Sequence, residues 1–471
     1  MVGASLCLAL SGVVLPRAVG AMSASGAAGV PTLLYVDPCD EQMHVLPSIE
    51  RRGAEVMLLH SAAAAAKLMG QPECDEDAAD RIRANMAPEA GEELVWAAET
   101  LPDGIEVVGV LCGSDGGLAD AERLAEALVP ARSNGISSAR RDKFEMLETI
   151  RRAGLAAPMQ AAPASWEASK RFLATQSYPV VLKPRRGQAS VLVGLARDEK
   201  DAQRMDAILR DPKCATSIDT SELRPGDENV LIQEFLTGDE WVVDTVSADG
   251  EHKVVALWKY DKRQVNDAPF VYFGIDARGS EGAVEEAVLS YSQRVLDALG
   301  WKWGPCHIEL KMVPTSTVSD EQADGAAPVL IEINAGRWNG EDFQLLAELC
   351  NGYDAFEATL DAYLDPDAWD ELPPTPPEQL RACGKNVKLV SRQSGPLLTS
   401  PHETHADELS SMPSLLNFVP LYNEPGDQVI PTVDLNTCAG YAHLVHADPE
   451  VVEMDYRALQ ELVLFEVDED Q

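Results

Sequence analysis

Short apolar segments separated by polar ones mark the elements of the amino-terminal part of this chain. Apolar runs over residues 32–37, 54–60 and 107–112 predict strands, and the segment between the first two can form a helix. An Ala/Leu/Glu-rich stretch over 119–128 predicts a further helix, and the acidic stretch 74–99 predicts a pair of solvated helices. Strands that alternate with helices predict a small α/β unit.

Apolar runs continue through the middle of the chain. Residues 178–183 predict a strand that ends in a lysine, and residues 230–244 predict two strands joined by a short turn at Gly238. Residues 258–274 mix cations and aromatic side chains and are interpreted as a loop between strands. Apolar positions at helical spacing over 281–299 predict a helix that packs on the core.

The last hundred residues follow a Pro-rich segment, residues 373–377, which marks a boundary. Beyond it, residues 386–390 and 440–446 predict strands, and residues 455–464 predict a final helix. These elements predict a small α+β closing unit at the carboxy-terminal end.

Two of the predicted strands carry acidic and amide side chains where apolar residues are expected. In one strand His307, Glu309 and Lys311 alternate with apolar residues, and in the next Glu332 and Asn334 do the same. Because strand side chains alternate, each set lies on one face. Two carboxylates and an amide oxygen suit Mg²⁺, which leaves coordination positions for phosphate. The alternative is a set of charges on a solvated face of a sheet.

Upstream segments supply the groups that a magnesium–phosphate site requires. Lys183 ends an apolar strand, and the polar loop 185–190 after it can cradle an anion with its backbone N–H groups. Glu234, Gly238 and Glu240 follow in a strand–turn–strand segment. Taken singly, the lysine is equally an ordinary solvated strand end, and the second segment is equally a plain hairpin.

The order of these motifs resembles the ATP-grasp family over about residues 133–364, particularly its carboxylate–amine ligases that join amino acids, including carnosine-synthase-like enzymes. The resemblance implies an ATP-grasp fold with a preceding Rossmann-like α/β domain and a small carboxy-terminal α+β extension. The implied domains are a pre-ATP-grasp domain over 31–132, the ATP-grasp domain over 133–372, and a closing domain over 373–471.

The resemblance also implies roles for individual residues. It assigns nucleotide contacts to Lys143, Lys183, Ser190, Glu234, Phe235 and Glu240. Among these, the two lysines contact phosphates, Glu234 and Phe235 lie beside the adenine, and Glu240 reaches the ribose. It assigns Glu309, Glu332 and Asn334 to Mg²⁺, with Mn²⁺ as an alternative ion.

Arg337 is the predicted catalytic residue, as the partner of a reacting acyl phosphate. Gly336 places it one position later than the arginine of the family, and a glycine bulge would turn its side chain back into the site. The alternative is a surface ion pair with Glu341 or Asp342.

The basic residues of segment 258–274 have three interpretations. Arg263 or Lys262 binds a substrate carboxylate, or it guides ATP phosphates, or the segment is a hairpin with an exposed charged turn. Arginine is the preferred functional candidate, because a guanidinium binds a carboxylate bidentately.

Charge and composition exclude some classes of protein. The net charge of −39 argues against nucleic-acid binding, which requires a basic surface. The nine cysteines form no C-x-x-C pair or regular framework, so neither a zinc ribbon nor a disulfide scaffold is predicted.

The first 30 residues are interpreted separately as a signal or transit segment, or as an extension ahead of Met22. Its apolar run is too short to span a bilayer, and no later run is longer, so no membrane partner is expected. Use of ATP favours a cytoplasmic or organellar location. The oligomeric state is left open, with a homodimer as one alternative.

Together these features predict an ATP-dependent ligase that joins a small carboxylate to an amine through an acyl phosphate, acting on amino acids or a related small acid. Two alternatives remain: an ATP-grasp enzyme that activates a different acid, and a catalytically silent nucleotide-binding module.

Overall fold

The computed structural model describes residues 29–38, 40–71, 74–187, 192–211, 229–314, 325–338 and 340–468. Nearly all of the predicted targeting segment, residues 1–28, lies outside these ranges. Across the described ranges, no helix is both long and apolar enough to cross a membrane.

The amino-terminal unit is a three-stranded parallel sheet with helices around it. The strands lie in the order β2-β1-β3, so the chain starts in the middle of the sheet. Tyr35 of the central strand packs edge-on against Trp338, which ties this unit to the rest of the molecule. The predicted α/β unit and its solvated helix pair are therefore present. Its elements are β1 (30–36), α1 (46–51), β2 (55–59), α2 (62–69), α3 (76–84), α4 (93–100), β3 (105–112) and α5 (118–128).

The next unit is a four-stranded antiparallel sheet with helices on one side. Its strand order is β4-β7-β5-β6, and Lys183 lies at the end of a strand in the middle of the sheet. Buried apolar residues such as Leu182 and Ile232 pack against a helix through Ala202 and Leu209. The helix α6 (143–152) precedes this unit and packs in the core of the large sheet that follows. The elements of the unit are β4 (160–161), α7 (166–173), β5 (180–184), β6 (194–196), α8 (199–210) and β7 (230–234).

A large antiparallel sheet follows, and its first five strands carry the three predicted metal ligands. They are β8 (240–248), β9 (251–265), β10 (268–278), β11 (304–314) and β12 (326–335), with α9 (283–298) between the third and the fourth. The helix packs on the sheet through buried residues that include Val288, Tyr291 and Val295. The predicted helix over 281–299 is confirmed.

Two local predictions are wrong in this region. Residues 258–274 are not a loop but the paired strands β9 and β10, with a tight turn at Asn266 and Asp267, both of which have a positive φ. The strands on either side of Gly238 do not form a hairpin, because β7 belongs to the four-stranded sheet and β8 to the large one. The segment 235–239 therefore links two sheets.

The carboxy-terminal part continues the large sheet. Its full order is β12-β11-β8-β9-β10-β13-β17-β15, with β13 paired to β10 through the register Gly274↔Val387. The final helix begins six residues earlier than predicted, because Asp448 caps it and Pro449 occupies its first turn. The elements are α10 (341–351), α11 (355–364), α12 (366–371), β13 (383–388), β14 (395–396), α13 (401–404), α14 (406–410), β15 (415–420), β16 (428–429), β17 (440–446) and α15 (449–461).

Candidate active site

A cavity of about 330 Å³ is lined by both sheets, the segment that links them and part of the carboxy-terminal region. It is lined by nine of the eleven predicted site residues. These are Lys143, Lys183, Glu234, Phe235, Glu240, Glu309, Glu332, Asn334 and Arg337. Of the other two, Ser190 lies outside the described residues, and Arg263 does not line the cavity.

The predicted metal ligands meet across two neighbouring strands. In the pairing of β11 with β12, Glu309 lies opposite Glu332 and His307 lies opposite Asn334. Directly opposed carboxylates repel each other unless positive charge lies close by. Here Lys143 Nζ lies 3.4 Å from Glu332, and Lys262 Nζ lies 3.9 Å from Glu309.

This donor set fits Mg²⁺. It offers two carboxylates and one amide on the same face, and Mg²⁺ prefers a few such oxygens together with phosphate and water. The described ranges hold no group of three or more His, Cys, Asp or Glu side chains placed to bind a metal. The two carboxylates and the amide leave coordination positions of Mg²⁺ open for a bound phosphate.

Glu309 is held in its ionised form by its neighbours. Burial alone would raise its pKa, but Lys262 and His307 lower the pKa to about 2. His307 Nδ1 lies 2.7 Å from Asp244 Oδ1, and Trp258 Nε1 donates a hydrogen bond of 2.6 Å to Oδ2 of the same aspartate. Burial lowers the pKa of His307, yet Asp244 and Glu309 raise it to about 9.

The two predicted phosphate lysines line the same cavity. Lys143 begins α6, whose amino-terminal end is capped by Asp142, and its Nζ donates a hydrogen bond of 2.6 Å to the carbonyl oxygen of Gly187. Lys183 is 4% exposed, and burial lowers the pKa of its ammonium group to about 8. Arg185, in the basic loop after Lys183, pairs with Asp142 at 2.7 Å and thereby joins the loop to the start of α6.

The linking segment 235–239 and the strand ends on either side of it carry three further predicted residues of the cavity wall. Glu234 Oε1 accepts a hydrogen bond of 3.0 Å from the backbone N–H of Met159. Phe235 packs beside Phe270, with 6.2 Å between ring centroids. Glu240 pairs with Lys262 and lies 3.6 Å from Lys311, so its carboxylate is buried but compensated.

Lys262, not Arg263, is the cation of β9 that lines the cavity. Successive strand residues point to opposite faces. Lys262 Nζ lies 4.1 Å from the centroid of the Tyr272 ring, and both residues line the cavity. Arg263 instead pairs with Asp261 at 2.6 Å and donates to the Tyr456 hydroxyl at 3.1 Å. The preference for Arg263 as a nucleotide or substrate ligand is therefore corrected.

Arg337 reaches the cavity through an irregular turn. Gly336 has a φ of +80° and immediately follows β12, so the chain changes direction there. Arg337 Nε lies 2.5 Å from Asp115 Oδ1, in the loop between β3 and α5 of the amino-terminal unit. The ion pair that the structure gives for Arg337 is therefore with a loop that is distant in sequence. The side chains of Glu341 and Asp342, its alternative predicted partners, lie outside the part of the chain that the structure describes.

Several cavity residues were not singled out from the sequence. Tyr272 and Phe343 bring aromatic walls, and Lys388 and Leu435 come from the carboxy-terminal region. The position of Lys388 between the apolar residues Val387 and Leu389 was the one available signal for it. The contribution of Leu435 depends on long-range packing that no local pattern encodes.

Comparison with known proteins identifies the class. Residues 176–342 match the family model described as an ATP-grasp domain. The chain therefore contains an ATP-grasp domain, and its architecture is the ATP-grasp fold, as the motifs predicted.

Individual relatives refine this picture. The chain is 27% identical over 368 residues to dapdiamide A synthase of Enterobacter agglomerans, which covers 75% of this chain and 78% of the relative. The structure is similar to that of L-amino acid ligase from Bacillus licheniformis, with a TM-score of 0.62 and 18% identity over 92% of this chain and 98% of the other. It is also similar to N5-carboxyaminoimidazole synthase from Aspergillus clavatus, with a TM-score of 0.57 and 13% identity over 92% and 98% of the two chains.

Proposed function

We propose that this protein is an ATP-dependent carboxylate–amine ligase that forms an amide bond through an acyl phosphate and releases ADP and phosphate. The observation that carries the proposal is the opposed pair Glu309 and Glu332, in one cavity with Lys143 and Lys183. The names of the relatives, an amino acid ligase and dapdiamide A synthase, support amino acids or closely related small acids and amines as substrates.

The chemistry follows from the placement of charge. The substrate carboxylate attacks the γ-phosphorus of ATP, which gives an acyl phosphate and ADP, and the amine then displaces phosphate. Lys143 and Lys183 hold phosphate oxygens, while Glu309, Glu332 and Asn334 would hold Mg²⁺, which neutralises phosphate charge when bound. Positioning and electrostatic stabilisation account for most of the rate in such transfers.

Arg337 is placed to act on the acyl group. Its guanidinium lines the cavity on the chain segment directly after the strand that carries Glu332 and Asn334. Negative charge develops on the acyl oxygen when the amine attacks, and a fixed cation there lowers the barrier. No side chain is assigned as a base for the amine, because an amine that is partly deprotonated in solution needs none.

The decisive test is turnover that depends on both an acid and an amine. The purified chain, begun at Met22, is incubated with ATP, Mg²⁺ and pairs of amino acids, and ADP, phosphate and the condensed product are measured. The variant Glu332→Gln keeps the shape of the side chain but removes one charge, and it should lower kcat by at least about 100-fold. Glu403→Gln, at an exposed glutamate away from the cavity, is the matched control and should retain full activity.

Two outcomes would contradict the proposal. ATP binding without turnover on any acid–amine pair would leave a silent nucleotide-binding module. Phosphate release that needs an acid but yields no amide product would indicate an ATP-grasp enzyme that activates a different kind of acceptor.

A further inference from the structure

The loop that follows Lys183 is fastened to the start of α6 by an ion pair with two contacts. Arg185 Nη2 lies 2.7 Å from Asp142 Oδ2, and Arg185 Nε donates a hydrogen bond of 3.2 Å to Oδ1 of the same carboxylate. The guanidinium also lies near the Phe144 ring, 5.5 Å from its centroid. A guanidinium that contacts both oxygens of a carboxylate is fixed in orientation as well as in position.

Asp142 also caps the helix at this point. Its Oδ1 accepts hydrogen bonds of 3.0 Å and 3.2 Å from the backbone N–H groups of Phe144 and Glu145. The residue is only 3% exposed. One buried carboxylate therefore fixes both the first turn of α6 and the beginning of the loop after β5.

Both predicted phosphate lysines lie next to this ion pair. Lys143 is the residue after Asp142, and Lys183 is two residues before Arg185. The backbone N–H of Lys143 donates a hydrogen bond of 2.9 Å to the carbonyl oxygen of Arg185, and Lys143 Nζ donates one of 2.6 Å to the carbonyl oxygen of Gly187. The two lysines belong to separate elements, α6 and β5, and they depend on the same contacts for their relative position.

The side chain of Arg185 is directed at Asp142 and not at the cavity. The described residues that line the cavity include Lys143, Lys183 and Gly187 but not Arg185. A residue in this position acts on a bound phosphate through the groups that it holds in place, rather than by contact.

We infer that Asp142 and Arg185 are positioning residues of the nucleotide site, and that their ion pair holds Lys143 and Lys183 together around the phosphates of one ATP. The inference rests on the proposed function, which supplies the identity of the ligand. Two cations bind one polyphosphate strongly only when both reach it at once, and a displacement of about 1 Å is enough to weaken such an arrangement. Arg185 thus acts by anchoring the loop, and not by adding its own charge to the phosphate site.

The test separates positioning from charge. Arg185→Gln removes a positive charge near the phosphate site, whereas Asp142→Asn removes a negative charge and keeps a residue that caps helices well. If charge alone mattered, the first variant would bind ATP more weakly and the second would bind it more tightly. If the ion pair positions the lysines, both variants should raise the Kd for Mg²⁺–ATP by about 10-fold.

The double variant, Asp142→Asn with Arg185→Gln, should also raise the Kd by about 10-fold, because both changes break one contact and their effects are not additive. Titration calorimetry of the wild type and the three variants measures these values. Arg185→Lys should recover part of the affinity, since an ammonium group keeps the charge but cannot make both contacts. In the ligase assay the KM for ATP should rise in Arg185→Gln, while the KM for the amine stays unchanged.

A second ion pair of the same sheet unit provides the matched control. Arg210 Nε lies 2.6 Å from Asp206 Oδ2, the pair is about as buried as that of Arg185 with Asp142, and neither residue lines the cavity. Arg210→Gln should lower the thermal midpoint and leave the Kd for Mg²⁺–ATP unchanged.

Four results would overturn the inference. They are an unchanged Kd in either single variant, tighter binding by Asp142→Asn, losses that multiply to about 100-fold in the double variant, and an equal loss of affinity in Arg210→Gln. A wild-type protein that does not bind Mg²⁺–ATP would overturn the proposed function together with the inference. A wild type without acid- and amine-dependent turnover, in which the expected differences in Kd are present, would refute the ligase and not the positioning.

Discussion

Lys183 is buried and lies near acidic side chains, and these two influences together determine the pKa of its ammonium group. Burial is the larger influence and lowers the pKa of its ammonium group to about 8, although Glu332 and Glu309 act in the opposite direction. The charged form prevails below pH 8 and the neutral form above it. A lysine of this kind is charged near neutral pH but close to its titration point.

This protonation predicts a pH dependence of nucleotide binding. Phosphate oxygens favour the charged lysine, so the affinity for ATP should be full below pH 8 and fall above it, approaching about tenfold per pH unit. Isothermal titration of Mg²⁺–ATP between pH 7 and 9.5 measures the effect. Lys183→Arg should bind ATP with little change over that range, because a guanidinium stays protonated. An unchanged slope in that variant would assign the titration to another group.

At the same scale, the sequence predicted the side-chain orientation of residues on regular strands well. It did less well where two neighbouring residues were equally plausible candidates. Alternation alone placed Glu309, Glu332 and Asn334 on common faces, and the strand pairing brings those faces together. Lys262 and Arg263 are neighbours on one strand, so only one of the two can face the cavity. Side-chain chemistry favoured Arg263, whereas Lys262 lines the cavity. Only the register of the β9–β10 pair decides that question.

At the scale of elements, the turn after β12 depends on glycine. Gly336 has a left-handed backbone, and a Cβ there would lie 2.7 Å from Leu118 Cδ1 and 3.2 Å from the ring of Trp301. The residue thus permits both the reversal of the chain and the close approach of α5. Arg337 takes its direction from this turn.

Gly336→Ala should therefore impair both stability and chemistry. We expect a loss of about 1–3 kcal/mol from the strained backbone, with a further contribution from the contact at Leu118, and a lower kcat because Arg337 moves. Thermal unfolding and steady-state kinetics measure the two effects. Gly53→Ala is the matched control, since Gly53 has a φ of +73° with open space around its Cβ position. It should lose stability through strain and keep its kcat.

Element boundaries explain the two local errors of sequence interpretation. The β9–β10 pair mixes lysine, arginine and aromatic residues, so no simple apolar alternation distinguishes it from a loop. The sequence around Gly238 is typical of a hairpin, because a short glycine-containing segment occurs both in tight turns and in links between two sheets. In the second case the deciding contact is distant in sequence, because β7 pairs with β5, about 50 residues earlier. In the first case the partners are close along the chain, but the mixed side chains of the segment hide the pairing.

At the scale of the whole molecule, the amino-terminal unit contacts the predicted site residue Arg337 through an ion pair. Asp115, which pairs with Arg337, lies in a loop braced by Asp37: Ser114 Oγ donates to Asp37 Oδ2 at 3.1 Å, and the backbone N–H of Ser61 donates to Oδ1 at 2.7 Å. The orientation of Arg337 therefore depends on a unit that supplies none of the other predicted site residues.

Asp115→Asn tests this dependence. The variant should lower kcat by about tenfold through misplacement of Arg337, while the KM for ATP stays unchanged. Arg52→Gln breaks a different contact between the amino-terminal unit and the rest of the chain, the ion pair with Asp361. It should lower the thermal midpoint and leave kcat intact. Loss of kcat in both variants would show that the interface as a whole matters, and not this ion pair.

The pairing of strands that are distant in sequence could not be predicted from local patterns. Motif order predicted the ATP-grasp domain and fold, and composition predicted a smaller unit at the carboxy-terminal end. The domain boundaries at 133 and 373 remain predictions. No local feature indicated that the strands beyond 383 join the sheet that carries the predicted metal ligands, because this depends on β13 pairing with β10, about 110 residues earlier.

This shared sheet means that the last ninety residues of the described chain cannot be treated as an appendage. A chain shortened to end at residue 372 would leave β10 as an open edge, with unpaired backbone groups next to the buried side chains of Val271 and Ile275. Such an edge recruits strands from other molecules, so the shortened protein should elute from a sizing column as aggregates, while the full chain does not. A natural or engineered recombinant of this enzyme must therefore keep the carboxy-terminal strands together with the strands β8 to β12.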